Sequence, residues 1–68
     1  MKISARNRFE GTVTAVKKGS TTAHVTIDVK GLTFMASITN EAVDELGLVP
    51  GSKVMAVIKS SDVMVATP

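Results

Sequence analysis

The chain has 68 residues, a formal net charge of +2, no cysteine and a single histidine. Disulfides and thiolate metal centres are therefore excluded, and His24 alone cannot build a zinc site. The charge is too small for a strong nucleic-acid footprint.

Hydrophobic residues make up 44% of the chain but aromatic residues only 3%, so its apolar content is mostly Val, Ala, Ile, Leu and Met. That β-branched, aliphatic character favours strands. A domain of this size buries only about 60% of its unfolded surface. With disulfides and a metal excluded, oligomerisation is the remaining way to reinforce so thin a core. No apolar run reaches the roughly 18–20 residues of a membrane span. Met1-Lys2 leads directly into the first candidate strand with no apolar leader, which implies a cytoplasmic location.

In chain order, Phe9, Gly11, Val13 and Ala15 alternate with Glu10, Thr12 and Thr14, the period of a half-buried strand. Lys17-Lys18-Gly19-Ser20 reads as a turn. Ala23, Val25, Ile27 and Val29 then alternate with His24, Thr26, Asp28 and Lys30, the cleanest strand signal in the chain. Lys30-Gly31 permits a tight hairpin. Beyond it Phe34, Ala36 and Ile38 alternate with Thr33, Met35, Ser37 and Thr39.

Thr39 or Asn40 can cap a helix that places Glu41 in its first turn, beside the positive end of the dipole. Val43 and Leu46 share one face of that helix, and Gly47 is its stop. Two turns at most, it depends on tertiary packing. Val49-Pro50-Gly51 is a turn with Pro second and Gly third. Residues 53–58 and 62–66 read as two further strands. Three strands, a helix and two strands is the order of a five-stranded OB-like barrel, all-β apart from one short helix between strands three and four. Closure into a barrel removes exposed edges; the alternative is an open sheet that pairs with another copy. Residues 1–68 form one domain, with no internal repeat or linker.

The two ends of the chain carry its chemistry. Ser4-Ala5-Arg6-Asn7 and Lys59-Ser60-Ser61 each set one cation beside hydroxyl or amide donors. Such a donor mixture can replace the water shell of an oxyanion. Arg6 can bind one with two parallel hydrogen bonds; its bland role is a surface ion pair with Glu10 or Asp62. Asn7 can donate its amide or simply start a strand. Lys59, Ser60 and Ser61 can face an anion with the N–H groups of their turn, or form an ordinary hairpin loop. Thr39 can donate at a helix N-terminus or serve only as its cap. Lys17-Lys18-Gly19-Ser20-Thr21-Thr22 is a second donor-rich segment whose bland reading is a solvated hairpin tip. His24 lies on a polar strand face with no nucleophile spaced to partner it. No Ser-His-Asp, P-loop or metal-helix pattern occurs, so the chain is not expected to be an enzyme.

Ile3-Ser4-Ala5-Arg6-Asn7, Gly11-Thr12-Val13, Thr22-Ala23-His24-Val25, Val43 to Leu48 and Ala56 to Met64 together resemble the molbindins, small molybdate-binding proteins built from one Mop domain. The resemblance spans essentially the whole chain. It implies an OB-like domain assembled as a hexamer, a trimer of dimers, that binds molybdate and also tungstate in pockets between subunits. It further implies a role in intracellular molybdenum storage or homeostasis. Carried over by motif, the main site comprises Ser4, Arg6, Thr39, Lys59 and Ser60, with Ala5 and Asn7 in the same segment. A second site maps to Gly19, Ser20, Thr21 and Thr22. Some relatives have Ser where this chain has Ala42, which would remove one hydroxyl ligand.

Molybdate is a tetrahedral dianion, so donors hold it and a carboxylate repels it; the main-site segments carry none. Phosphate is partly protonated at neutral pH, and a donor-only pocket leaves that proton unpaired at about 1–3 kcal/mol. Sulfate has molybdate's charge and is separated only by size. Two other functions compete. Many OB-folds bind single-stranded nucleic acid by stacking bases on aromatic rings, but this chain offers only Phe9 and Phe34, both expected on apolar faces. The third reading is a structural oligomer with no ligand.

Overall fold

The computed structural model describes residues 1–68. Strands β1 (Asn7–Lys18), β2 (Thr22–Val29) and β3 (Leu32–Thr39) precede helix α1 (Asn40–Leu46), strand β4 (Lys53–Ile58) and a 3-10 turn, Ser60–Asp62. The four strands form one antiparallel sheet in the order β3-β2-β1-β4.

Strand β2 obeys its alternation: Ala23, Val25, Ile27 and Val29 are buried. They join Val13, Val43 and Ala56 in a core of only seven buried residues. In β1 the alternation breaks. Val13 pairs with Ile27 and Ala15 with Thr26, so Thr14 is an extra residue. This bulge turns Ala15 outward and leaves Val16 half-buried, reversing the expected facing after Val13. Phe9 and Phe34 meet with ring centroids 5.6 Å apart although β1 and β3 are not neighbours in the sheet. The sheet is therefore strongly curled, as an OB-like fold requires.

Lys30 and Gly31 both take positive φ, 51° and 88°, the backbone of a tight hairpin turn. Thr39 caps α1 by accepting a hydrogen bond from the Ala42 N–H at 3.0 Å. Gly47 ends the helix in the left-handed region at φ 63°, its N–H bonded to the carbonyls of Val43 and Asp44. Val43 is buried as expected, but Leu46 is 68% exposed. Leu48, beyond the stop, packs on the core instead. The Val49–Ser52 turn is closed by the Ser52 N–H bonding to Val49 O at 3.0 Å.

The fifth strand expected over residues 62–66 is absent, so the sheet has four strands. A strand forms only against an edge that pairs with it, and the chain folds no edge of its own against this segment. Residues 63–68 are exposed and irregular, with Met64 92% and Val65 91% accessible. Strands β3 and β4 are accordingly the two outer strands of the sheet. A cavity of about 500 Å³ opens between them, lined almost wholly by apolar side chains including Ile27, Phe34, Ile38, Val54 and Ile58. No helix is long and apolar enough to cross a membrane.

Candidate functional site

Pairing of β1 with β4 brings the two ends of the chain together. Asn7, the first residue of β1, lies opposite Ile58, the last of β4. The segments running outward from that pair, Ser4–Arg6 and Lys59–Ser61, therefore emerge side by side. Ile3, Ser4, Ala5, Val57, Lys59, Ser60, Ser61 and Asp62 line an open cleft there. Ser4, Ala5, Lys59 and Ser60 of the expected main site thus share one depression within a single chain.

The 3-10 turn gives the cleft its local shape. Asp62 N–H bonds to Lys59 O at 2.9 Å and Val63 N–H to Ser60 O at 3.3 Å. The first N–H groups of a helical turn have no acceptor within it, so those of Ser60 and Ser61 remain as donors beside their hydroxyls. Arg6 and Lys59 are exposed and neither forms an ion pair; Lys18–Asp44 is the one salt bridge in the chain. The surface pairing of Arg6 with Glu10 or Asp62 is therefore not formed, and its guanidinium is available. Arg6 and Asn7 adjoin the cleft through their position in the chain but are not among its lining residues.

Two features depart from expectation. Asp62 lines the cleft, so the pocket is not free of carboxylates. Its identity was visible in Lys59-Ser60-Ser61-Asp62, but not the 3-10 turn that folds it back beside Lys59. Thr39, at the end of β3, lies on the opposite outer strand of the sheet from β4 and does not line the cleft. Its hydroxyl oxygen already accepts from Ala42 as the helix cap, while its hydroxyl hydrogen remains to be donated. Helix α1 has seven residues and carries Glu41 in its first turn, which offsets the dipole expected to attract an anion. Ala42, the position where some molbindins carry Ser, is half-buried there.

Gly19, Ser20 and Thr21 form the exposed turn joining β1 to β2, and Thr22 opens β2, all apart from the cleft. Gly19 N–H bonds to Thr22 O at 2.8 Å. His24 is exposed on β2, opposite Lys17 and Ser37. No cluster of three His, Cys, Asp or Glu side chains can hold a metal ion.

The cleft is thus donor-rich and open, with Lys59 unpaired in its lining and Arg6 unpaired in the adjoining segment. Residues 3–65 match the TOBE domain family. The chain is 46% identical over 66 residues to molybdenum-pterin-binding protein 3 of Clostridium pasteurianum, covering 96% of this chain and 97% of that one. A molybdate-binding protein from Sporomusa ovata superposes with a TM-score of 0.95 at 43% identity, covering 98% of this chain and all (100%) of that one. The cytoplasmic molybdate-binding protein ModG, in a crystal form with molybdate bound, gives a TM-score of 0.95 at 42% identity, with 100% of this chain matched to 49% of ModG. Matched along nearly its whole length by the family domain and by proteins of its own size, the chain belongs to the TOBE-domain family and, within it, to the molbindins.

Proposed function

We propose that this protein binds molybdate, and tungstate in its place, in pockets completed by more than one copy of the chain. The observation that carries the reading is the meeting of unpaired Lys59 with the donors of Ser4, Ser60 and Ser61 in the cleft at the joined chain ends, with unpaired Arg6 in the adjoining segment. The relatives named for molybdenum or molybdate over the full chain length identify the anion. The main site comprises Ser4, Ala5, Arg6, Asn7, Thr39, Lys59 and Ser60, with a second at Gly19, Ser20, Thr21 and Thr22. Residues 1–68 act as one Mop domain that stores or buffers the anion in the cytoplasm, without catalysis.

Three features of the isolated chain support assembly. Its accessible surface is 5357 Å², about 1,300 Å² above the roughly 4,100 Å² typical of a folded monomer of this mass. A stable interface takes about 800 Å² from each partner. The radius of gyration, 12.7 Å, also exceeds the roughly 11 Å usual for this length. The apolar cavity between β3 and β4 and the exposed Val63-Met64-Val65 tail lie on the same open molecule. A tail laid against an outer strand of another copy supplies the missing fifth strand and closes the barrel. Thr39, remote from the cleft in its own chain, joins a main site only from a neighbouring copy. The assembly is a hexamer built as a trimer of dimers.

An anion that bridges copies and neutralises Arg6 and Lys59 stabilises the assembly by mass action. Molybdate is expected to raise the melting temperature, and Arg6→Ala to remove most of that rise. An undiminished rise in Arg6→Ala would eliminate Arg6 as a ligand.

A further inference from the structure

Asn40 makes contacts that neither the helix nor the main site requires. Its backbone N–H donates to Thr21 O at 2.9 Å and its Nδ2 donates to Gly19 O at 2.9 Å. One residue at the start of α1 therefore holds two carbonyls of the β1–β2 turn. Its own Oδ1 is buried without a partner, a cost that a smaller cap-compatible residue such as Ser would avoid.

These contacts orient the turn. In a trans peptide the carbonyl and the following N–H point in opposite directions. With Gly19 O turned toward Asn40, the Ser20 N–H faces away from it. The N–H groups of Ser20 and Thr21 make no backbone hydrogen bond, and the hydroxyls of Ser20, Thr21 and Thr22 are likewise free within the chain. Successive unpaired N–H groups in a turn form an anion-binding concavity. The carboxylate of Asp44, which could oppose an anion near this end of the sheet, is paired with Lys18, and Lys17 is exposed and unpaired.

We propose that Asn40 is a positioning residue that fixes the Gly19–Thr22 turn as an oxyanion cradle, without touching the anion itself. The inference rests on the molybdate-binding reading and on the turn being its second site. Without the Nδ2 bond nothing from α1 holds the Gly19 carbonyl, and the Ser20 N–H loses its fixed direction.

The test is a molybdate titration of the full chain by calorimetry, with the Ser20 and Thr21 amide resonances followed by NMR. In the wild-type protein two classes of site are expected, the weaker one moving those two resonances. In Asn40→Ala the weaker class should lose about tenfold in affinity, while the class that depends on Arg6 and Lys59 is retained. An unchanged weaker class in Asn40→Ala, whatever the change in melting temperature, would make Asn40 merely structural and overturn the inference. Should that variant not fold, Asn40→Asp, which keeps the shape and removes the Nδ2 donor to Gly19 O, is expected to show the same selective loss, and an unchanged weaker class there would overturn the inference. Silent Ser20 and Thr21 resonances beside intact tight binding would end the cradle and leave the main site standing. A wild-type protein that binds molybdate in neither class would end the molybdate reading as well.

Discussion

Gly11 lies on β1 where the curled sheet presses it against β2. A Cβ added there would stand 2.7 Å from the carbonyl oxygen of Asp28, 2.7 Å from Ile27 Cγ2 and 3.0 Å from Val29 Cγ2. Ile27 and Val29 are core residues, and Asp28 is opposite Thr12 in the β1–β2 register. A side chain could turn aside, but a backbone oxygen moves only if the two strands separate. Overpacking costs about 1–3 kcal/mol, and a backbone obstacle puts Gly11→Ala at the upper end. Reduced freedom of the unfolded chain returns about 0.4–1 kcal/mol, leaving a net loss of about 2 kcal/mol. For a domain of this size that lowers the melting temperature by roughly 8–16 °C. Thermal unfolding followed by far-UV circular dichroism, without molybdate and at equal protein concentration, measures it. A variant melting at or above the wild-type temperature would refute the close approach of β1 to β2 and the curl that follows from it.

Three further outcomes follow from the site and its surroundings. Thr39→Val removes the hydroxyl that accepts from Ala42 and should cost about 1 kcal/mol in thermal unfolding; it should also weaken molybdate binding by calorimetry if Thr39 enters a neighbouring copy's site. Asp62→Asn removes the carboxylate from the cleft and should tighten molybdate binding about two- to fivefold, the worth of an exposed charge contact of up to about 1 kcal/mol; weaker binding would mean that Asp62 supports the site. Truncation after Asp62 deletes the exposed apolar tail and should shift the protein to smaller species in analytical ultracentrifugation, whereas an unchanged mass would place the contact between copies elsewhere.

The parts of this fold that were legible are those decided by local chemistry. The alternation in β2, the Lys30-Gly31 turn, the Thr39 cap and the Gly47 stop each depend on neighbouring residues, and each forms as read. The Thr14 bulge was not legible, because Ala15 and Val16 are both apolar enough to face either way and the choice is set by pairing with β2. Leu46 and Leu48 exchange roles because the left-handed Gly47 redirects the chain before Leu48 reaches the core. Val63 to Ala66 has the composition of a strand but pairs with neither outer edge of its own sheet.

The site divides along the same line. Ser4, Ala5, Lys59 and Ser60 are far apart in sequence, but each flanks a strand end that the pairing of Asn7 with Ile58 joins, so the two donor-bearing chain ends meet in one cleft. Thr39 matched the family motif, yet the sheet order holds it on the opposite outer strand from β4. In the proposed assembly its place depends on contacts between copies, for which a single sequence carries no direct signal. Asn40 was legible only as a possible cap, because its hold on Gly19 and Thr21 is a tertiary contact across 21 and 19 positions of sequence.

Native mass spectrometry of the purified protein, with molybdate and with sulfate as the control, tests the central claim most directly. A site completed between copies predicts a hexamer that gains discrete molybdate masses and ignores sulfate. A monomer that takes up neither anion would contradict both the shared site and the ligand.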